Sequence, residues 1–106
     1  MIEKETKVTN EYGIHARPSA LICTEASKYK TKAYLTIPSR SDERFRCDSI
    51  MELMTLEAGL GTKLVVHVEG DDEEARIMCD NLVKLISSDF ETQVAEFNKM
   101  QNLQKR

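Results

Sequence analysis

The stretch Tyr12-Gly13-Ile14-His15-Ala16-Arg17-Pro18-Ser19-Ala20 marks the change from a turn to a helix near the start of the chain. Gly13 can adopt backbone angles that other residues avoid, so it suits the end of a tight turn over 10–13. Pro18 is tolerated in the first turn of a helix, where a missing N–H costs nothing. Three- and four-residue spacing predicts an apolar helix face of small side chains, made by Ala16, Ala20, Cys23 and Ala26. Such a helix can lie close against a sheet.

Three other segments show the two-residue alternation that is typical of strands, and a fourth carries strand-favouring residues among charges. Residues 2–9 predict a weak first strand, and residues 32–37 predict a second strand that ends at Pro38. A polar hairpin loop is expected over 39–44, followed by a short third strand. A fourth strand is predicted before Gly70. The apolar residues that set the alternation are Ala33, Leu35, Ile37, Phe45, Cys47, Leu64, Val66 and Val68.

Two further helices complete the pattern. Ser49 is a suitable N-cap, and Glu52 stands three residues later as in a capping box. This helix is expected to end at the glycines of 59–61 and to turn Ile50, Leu53 and Met54 inward. Acidic residues at 71–74 favour the start of a third helix, because they complement its positive end. The predicted apolar stripe of that helix consists of Ala75, Met78, Leu82, Leu85 and Ile86. The order β-α-β-β-α-β-α predicts a two-layer α+β domain.

Composition limits the classes of function. A chain of 106 residues with 41% hydrophobic and 31% charged residues fits one folded domain. A formal net charge of -3 gives no general attraction to nucleic acid or to anionic membrane. The charged residues 1–5 are unlike a signal peptide, so we expect a cytoplasmic protein without membrane insertion. Cys23, Cys47 and Cys79 are odd in number and widely spaced, which argues against a disulfide framework and a zinc site. No cofactor or metal is expected.

The stretch around His15 carries the chemistry. His15 lies between the turn and the helix, so its ring is expected at a helix N-terminus, where unpaired N–H groups and the dipole favour a phosphate. Arg17 adds a planar cation suited to phosphate oxygens. Neutral imidazole is a nucleophile at neutral pH. The pattern therefore indicates phosphate handling by Ala16, Arg17 and Pro18 around His15, with a surface histidine or a simple cap as the alternative.

At these residues the sequence resembles the HPr family, the histidine-containing phosphocarriers of the bacterial phosphoenolpyruvate:sugar phosphotransferase system. Residues 47–56 resemble the family's second signature, around its regulatory serine. Residues 70–75 resemble the start of the family's last helix. The resemblance covers about residues 2–91. It implies an open-faced sandwich, with four antiparallel strands and three helices on one face.

The resemblance also implies a function and partners. Enzyme I, charged by phosphoenolpyruvate, would phosphorylate His15, in this family on Nδ1, and the group would pass to IIA domains of sugar permeases. Arg17 would stabilise the phosphate. The protein would be a stoichiometric carrier and not an enzyme. Ser49 would be a regulatory site for HPr kinase/phosphorylase, and the alternative is that Ser49 only caps its helix.

A docking surface is expected beside the active stretch. Met51 is predicted to be exposed, because methionine suits a surface that fits several partners. Met54, Ile14 and Ala20 are candidates for the same surface, although core packing is the alternative for Met54. His67 is predicted to be a surface histidine on the open face of the sheet and not a metal ligand.

The chain divides by resemblance into an HPr-like domain over 1–91 and an extension over 92–106. Phe90, Val94 and Phe97 keep helical spacing, so the extension is expected to continue the last helix before fraying at 101–106. A monomer is expected, with a dimer formed through the extension as the alternative. Two other functions stay open: a regulatory HPr-like module acting through Ser49, and a carrier in a nitrogen-related phosphotransfer chain.

Overall fold

The computed structural model describes residues 1–88 of the chain, which form a two-layer α+β domain. The strands are β1 (Ile2–Lys7), β2 (Ala33–Ile37), β3 (Arg40–Arg46) and β4 (Lys63–Val68). The helices are α1 (Ala16–Ala26), α2 (Ile50–Thr55) and α3 (Glu73–Ser87). The strands form one antiparallel sheet in the order β1-β4-β2-β3. The predicted fold class and element order are confirmed.

The core lies between the sheet and the helices. Strand alternation places Leu35, Leu64 and Val66 in this layer with no exposed side-chain surface. Helix α3 packs on β1 and β4, and α1 packs on α2 and α3. The buried residues of α3 are Ala75, Met78, Cys79, Leu82 and Ile86. Leu85, predicted in this stripe, is only half-buried. The N-cap is Asp72, whose carboxylate accepts from the Ala75 N–H at 3.0 Å.

The prediction of a hairpin loop over 39–44 was wrong. Strand β3 begins at Arg40, and Arg40 pairs with Ile37, so the turn is tight. A bulge between Leu35 and Ile37 adjusts the register. Most of β3 is exposed because it is an edge strand, and charged side chains on such a strand discourage pairing with other chains. An edge strand of this kind shows no apolar alternation in sequence.

The predicted face of α1 was also wrong in part. The buried residues are Pro18, Ser19, Ile22 and Ala26, whereas Ala16 is exposed and Ala20 and Cys23 are half-buried. The helix is rotated so that Ile22, with more apolar area than any alanine, fills the core.

Helix α2 is shorter than predicted. It ends at Thr55, with Leu56 as C-cap, and does not reach Gly59. Within the helix only Leu53 is buried, so the predicted inward orientation of Ile50 and Met54 was wrong. Leu56 and Ala58, which follow the helix, complete the core contact, and this leaves one side of α2 open to solvent. Within residues 1–88, no helix has both the length and the apolar character needed to cross a bilayer.

Candidate functional site

His15 is the N-cap residue of α1 and is exposed. Its backbone is extended, with φ -107° and ψ -161°, and its carbonyl accepts from the Ser19 N–H at 2.9 Å. The ring makes no capping hydrogen bond to the helix. Ser, Thr, Asp or Asn would normally occupy such a position and bond the helix amides through the side chain. Because the His15 ring leaves those amides open, both the ring and the amides are available to a ligand.

The start of α1 is suited to an anion. The amides of Ala16 and Arg17 precede the first residue that can bond back into the helix, and Pro18 has no N–H to donate. Pro18 is buried, so its contribution is to fix the backbone of the first turn. The first turn holds no acidic residue, which leaves the positive end of the helix dipole uncompensated. Arg17 is exposed, and none of the ion pairs found within residues 1–88 involves its guanidinium.

The turn that precedes His15 is held by its neighbours. The Asn10 side-chain amide donates to the Gly13 carbonyl at 2.7 Å, and the Ile14 N–H donates to the Ala58 carbonyl at 2.8 Å. Gly13 has φ +73°, in the left-handed region that favours glycine. The sequence placed Asn10 in the predicted turn but indicated no contact for its side chain, and it gave no sign of Ala58. An Asn three residues before a Gly is a signal of a turn, but nothing in the sequence links this turn to residue 58.

The exposed apolar side chains near the site belong mainly to α2. Met51 is 80% exposed and Met54 is 47% exposed, so both project into solvent. Ile14 is only 5% exposed, because its side chain enters the core, and the structure corrects the expectation that it adds to a docking surface. Ala20 is half-buried on α1, which packs against α2.

Ser49 caps α2 as predicted. Its hydroxyl accepts from the Glu52 N–H at 3.2 Å, while the Glu52 carboxylate accepts from the Arg46 N–H at 3.3 Å. The adjacent Asp48 accepts two hydrogen bonds of 3.0 Å from the Arg46 guanidinium. These bonds hold the pKa of Asp48 below its ordinary value, and Lys32 at 3.5 Å acts in the same direction. The negative charge of Asp48 beside Ser49 is therefore partly balanced by two cations, Arg46 and Lys32.

The other titratable residues within 1–88 do not group into a second candidate site. His67 stacks on Tyr34, with ring centroids 4.6 Å apart, and its Nε2 lies 2.7 Å from Thr36 Oγ1. Burial raises the pKa of the Cys47 thiol to about 12, which keeps it protonated. Across residues 1–88, no three His, Cys, Asp or Glu side chains are grouped to hold a metal ion.

Comparison with known proteins agrees with this geometry. Residues 2–88 match the family model described as the PTS HPr component phosphorylation site. The phosphocarrier protein HPr of Treponema pallidum is 38% identical over 91 residues, which cover 86% of this chain and 98% of that protein. The HPr-like protein Crh of Halalkalibacterium halodurans is 32% identical over 74 residues, covering 70% of this chain and 84% of that protein.

Solved structures show the same fold. A phosphocarrier HPr from Bacillus anthracis superposes with a TM-score of 0.70 at 26% identity, covering 80% of this chain and 95% of that chain. HPr from Thermoanaerobacter tengcongensis gives a TM-score of 0.66 at 28% identity, covering 84% and 99%. Because the family model spans most of the chain and the HPr relatives match over nearly their full lengths, this chain belongs to the HPr family of phosphocarriers.

Proposed function

We propose that this protein accepts a phosphoryl group on His15 from phosphorylated enzyme I and transfers it to IIA domains of sugar permeases. The observation that carries the proposal is the exposed His15 ring at the start of α1, whose first turn holds no acidic residue, two residues from a guanidinium that joins no ion pair within residues 1–88. The resemblance supplies the identity of donor and acceptor. An exposed imidazole beside the first amides of a helix supports the assignment of a nucleophile and an anion site in one place.

The transfer needs little chemistry from the protein besides position and charge. A neutral ring nitrogen of His15 attacks phosphorus, the bond to the donor breaks, and the donor keeps the electron pair of that bond. The amides of Ala16 and Arg17 and the Arg17 guanidinium would stabilise the oxygens of the transferring group. In the second transfer a histidine nitrogen of the IIA domain attacks the phosphorus, the N–P bond to His15 breaks, and His15 keeps the electron pair of that bond. The protein is therefore a stoichiometric carrier and not an independent enzyme.

Docking to partners would use the exposed side of α2. Met51 and Met54 form a flexible apolar surface that can adapt to several partners. Ala20 on α1 would border the same surface. Action in the cytoplasm and a monomeric state stay predictions. Among relatives, solved structures include an HPr dimer from Thermoanaerobacter tengcongensis and a domain-swapped dimer of Crh from Bacillus subtilis.

A phosphorylation assay tests the carrier function. The purified protein is incubated with enzyme I and phosphoenolpyruvate, and bound phosphoryl groups are counted by intact mass. We expect one acid-labile group on the wild type and none on His15→Ala. Arg17→Ala should be labelled more slowly, because only the helix amides then hold the phosphate. Absence of label on the wild type, with enzyme I active on another HPr, would reject the proposal.

A second function at Ser49 is favoured by one observation. The Ser49 hydroxyl lies at the start of α2, and Arg46 and Lys32 offset the neighbouring carboxylate of Asp48. Incubation with an HPr kinase and ATP would place an acid-stable phosphate on the wild type and none on Ser49→Ala. A regulatory module acting only through Ser49 would show this label without any label on His15. The presence of His15 and Arg17 favours the carrier.

A further inference from the structure

Asn10 closes the turn before His15 with two hydrogen bonds. Its side-chain Nδ2 donates to the Gly13 carbonyl at 2.7 Å, and its backbone carbonyl accepts from the Gly13 N–H at 3.3 Å. The residue is buried although it is polar. Its Oδ1 has no hydrogen-bond partner among the described residues. Burial of an unpaired acceptor costs free energy. The hydrogen bond from Nδ2 to the Gly13 carbonyl offsets part of this cost, so the N–H group is the part of the amide that stabilises the turn.

Gly13 in turn rests on the segment that follows α2. A Cβ added to Gly13 would lie 2.3 Å from the Ala58 carbonyl oxygen and 2.9 Å from the Gly59 Cα, so the two backbones are in direct contact. The Ile14 N–H donates to the same Ala58 carbonyl at 2.8 Å. Residues 13 and 14 are therefore fixed on both sides, by Asn10 from within the turn and by Ala58 from outside it.

We propose that Asn10 is a positioning residue for phosphoryl transfer, acting on His15 through the Gly13 carbonyl and the Ala58 contact. His15 is the next residue after Ile14, and as an N-cap its ring makes no bond of its own to the helix. The backbone that precedes it sets the position of its Cα and Cβ, and so the point from which the ring projects. Phosphoryl transfer depends on aligning nucleophile and phosphorus, so a loosened turn lowers the rate even when the ring is intact. This inference rests on the proposed carrier function.

The amide at position 10 is needed for its N–H. An aspartate has the same shape, but its carboxylate has no donor and would face the Gly13 carbonyl at hydrogen-bond distance, where two oxygens repel. Asn and Asp are both good turn residues, so a role in turn formation alone predicts that Asn10→Asp is tolerated. The positioning role predicts that Asn10→Asp is as harmful as Asn10→Ala or more so.

The test compares Asn10→Ala and Asn10→Asp with a matched control, Asn81→Ala. Asn81 Nδ2 donates to the Tyr29 hydroxyl, also at 2.7 Å, but joins α3 to the segment after α1 and does not touch the turn. Initial rates of phosphorylation by enzyme I are measured against protein concentration. We expect kcat to fall about fivefold for Asn10→Ala, the effect of losing one net hydrogen bond, while KM stays within about twofold. Asn81→Ala should change neither.

Amide hydrogen exchange gives a second reading that does not depend on phosphorylation. In both Asn10 variants the Ile14 amide should lose protection while the Val66 amide in β4 keeps it, since only the turn opens. Equal loss at both amides would show a general structural role and overturn the proposal. So would an Asn10→Asp variant with wild-type kcat and Ile14 protection. A wild type that enzyme I does not phosphorylate rejects the carrier function, and the exchange result then decides separately whether Asn10 holds the turn.

Discussion

At the scale of the residue, the proposed anion site depends on His15 not filling the role that its position normally requires. An N-cap side chain usually satisfies helix amides, whereas the His15 ring leaves them open. The unsatisfied amides are then available to an anion that arrives with a partner. Helix α1 lacks the side-chain capping hydrogen bond, which lowers its stability as an isolated helix. Packing within the folded domain compensates for that loss of stability. Pro18 helps by fixing the first turn without adding a donor.

Gly13 gives a test of how tightly the turn is packed. Gly13→Ala places a Cβ 2.3 Å from the Ala58 carbonyl and forces a non-glycine residue to φ +73°. The left-handed conformation alone costs about 1–2 kcal/mol, and the clash adds to this value. We therefore expect the free energy of unfolding, measured in urea, to fall by at least about 2 kcal/mol.

Gly59→Ala is the matched control for this prediction. A Cβ at Gly59 would meet no atom within 4 Å, although the residue lies in the segment that Gly13 contacts. Its effect on the free energy of unfolding should stay within about 0.5 kcal/mol. Similar losses for the two variants would mean that the contact between the turn and residues 58–59 does not constrain the fold.

At the scale of the element, the sequence was informative where a pattern is local and misleading where the tertiary environment decides. The alternation of β2 and β4 and the acidic start of α3 were confirmed, because each reflects the element's own geometry. The first five residues of β3, over 40–44, were predicted as a loop, because their polar and charged side chains lie on an exposed edge. The rotation of α1 and the early end of α2 depend on which side chains fill the core, and spacing alone does not show this.

The same distinction applies to the site. His15 and Arg17 stand in one short stretch with recognisable chemistry, so their proximity followed from the sequence. The exposure of Met51 also followed, from its place outside the apolar set of α2. The Ala58 carbonyl could not be predicted, since a backbone group carries no residue-specific signal and lies 45 positions from Gly13 in the printed sequence. The burial of Ile14 was missed because the turn bends its side chain into the core.

The junction of β3 and α2 contains an ion pair with a defined pH dependence. Arg46 holds the pKa of Asp48 below its unfolded value, so the unfolded chain binds more protons between the two pKa values. Stability from this pair is present above the unfolded pKa of about 3.9 and is lost as the pH falls through the folded pKa. Since the Arg46 side chain is mostly exposed, screening by solvent keeps this contribution small.

Urea unfolding of Asp48→Asn at neutral and acidic pH checks this dependence. The variant should be less stable than the wild type at neutral pH, and the difference should shrink in acid, where the wild-type carboxyl is also protonated. Asp42→Asn is the control, because Asp42 is exposed on β3 and joins none of the ion pairs found in residues 1–88. A stability difference for Asp48→Asn that is equal at both pH values would contradict the assignment.

At the scale of the whole molecule, different parts of the fold provide stability and the proposed functional groups. The sheet and α3 supply a continuous buried core, with Leu82 and Ile86 fixing the end of α3 against it. The starts of α1 and α2 carry the groups that we propose meet partners, including His15 and the exposed Met51. A carrier must present its phosphoryl group to different proteins in turn, so a rigid domain with one open functional side suits the task.

The predicted division at residue 91 gives the last test, because the extension over 92–106 lies outside the residues that the structure describes. All of the described core comes from residues before Ser88. A chain ending at residue 91 should therefore lose less than about 0.5 kcal/mol of unfolding free energy and should still accept a phosphoryl group. A chain ending at Asn81 lacks Leu82 and Ile86, and we expect it not to unfold cooperatively.

Sedimentation of the full-length and 1–91 chains completes this experiment. Both should be monomeric, as the sequence predicts. If the full-length chain forms dimers and the shortened chain does not, the extension mediates the association. If the shortened chain is instead much less stable as a monomer, the extension packs on its own domain, and the boundary at residue 91 is wrong. Similar stability and phosphorylation, with both chains monomeric, would show that residues 1–91 suffice for the carrier function.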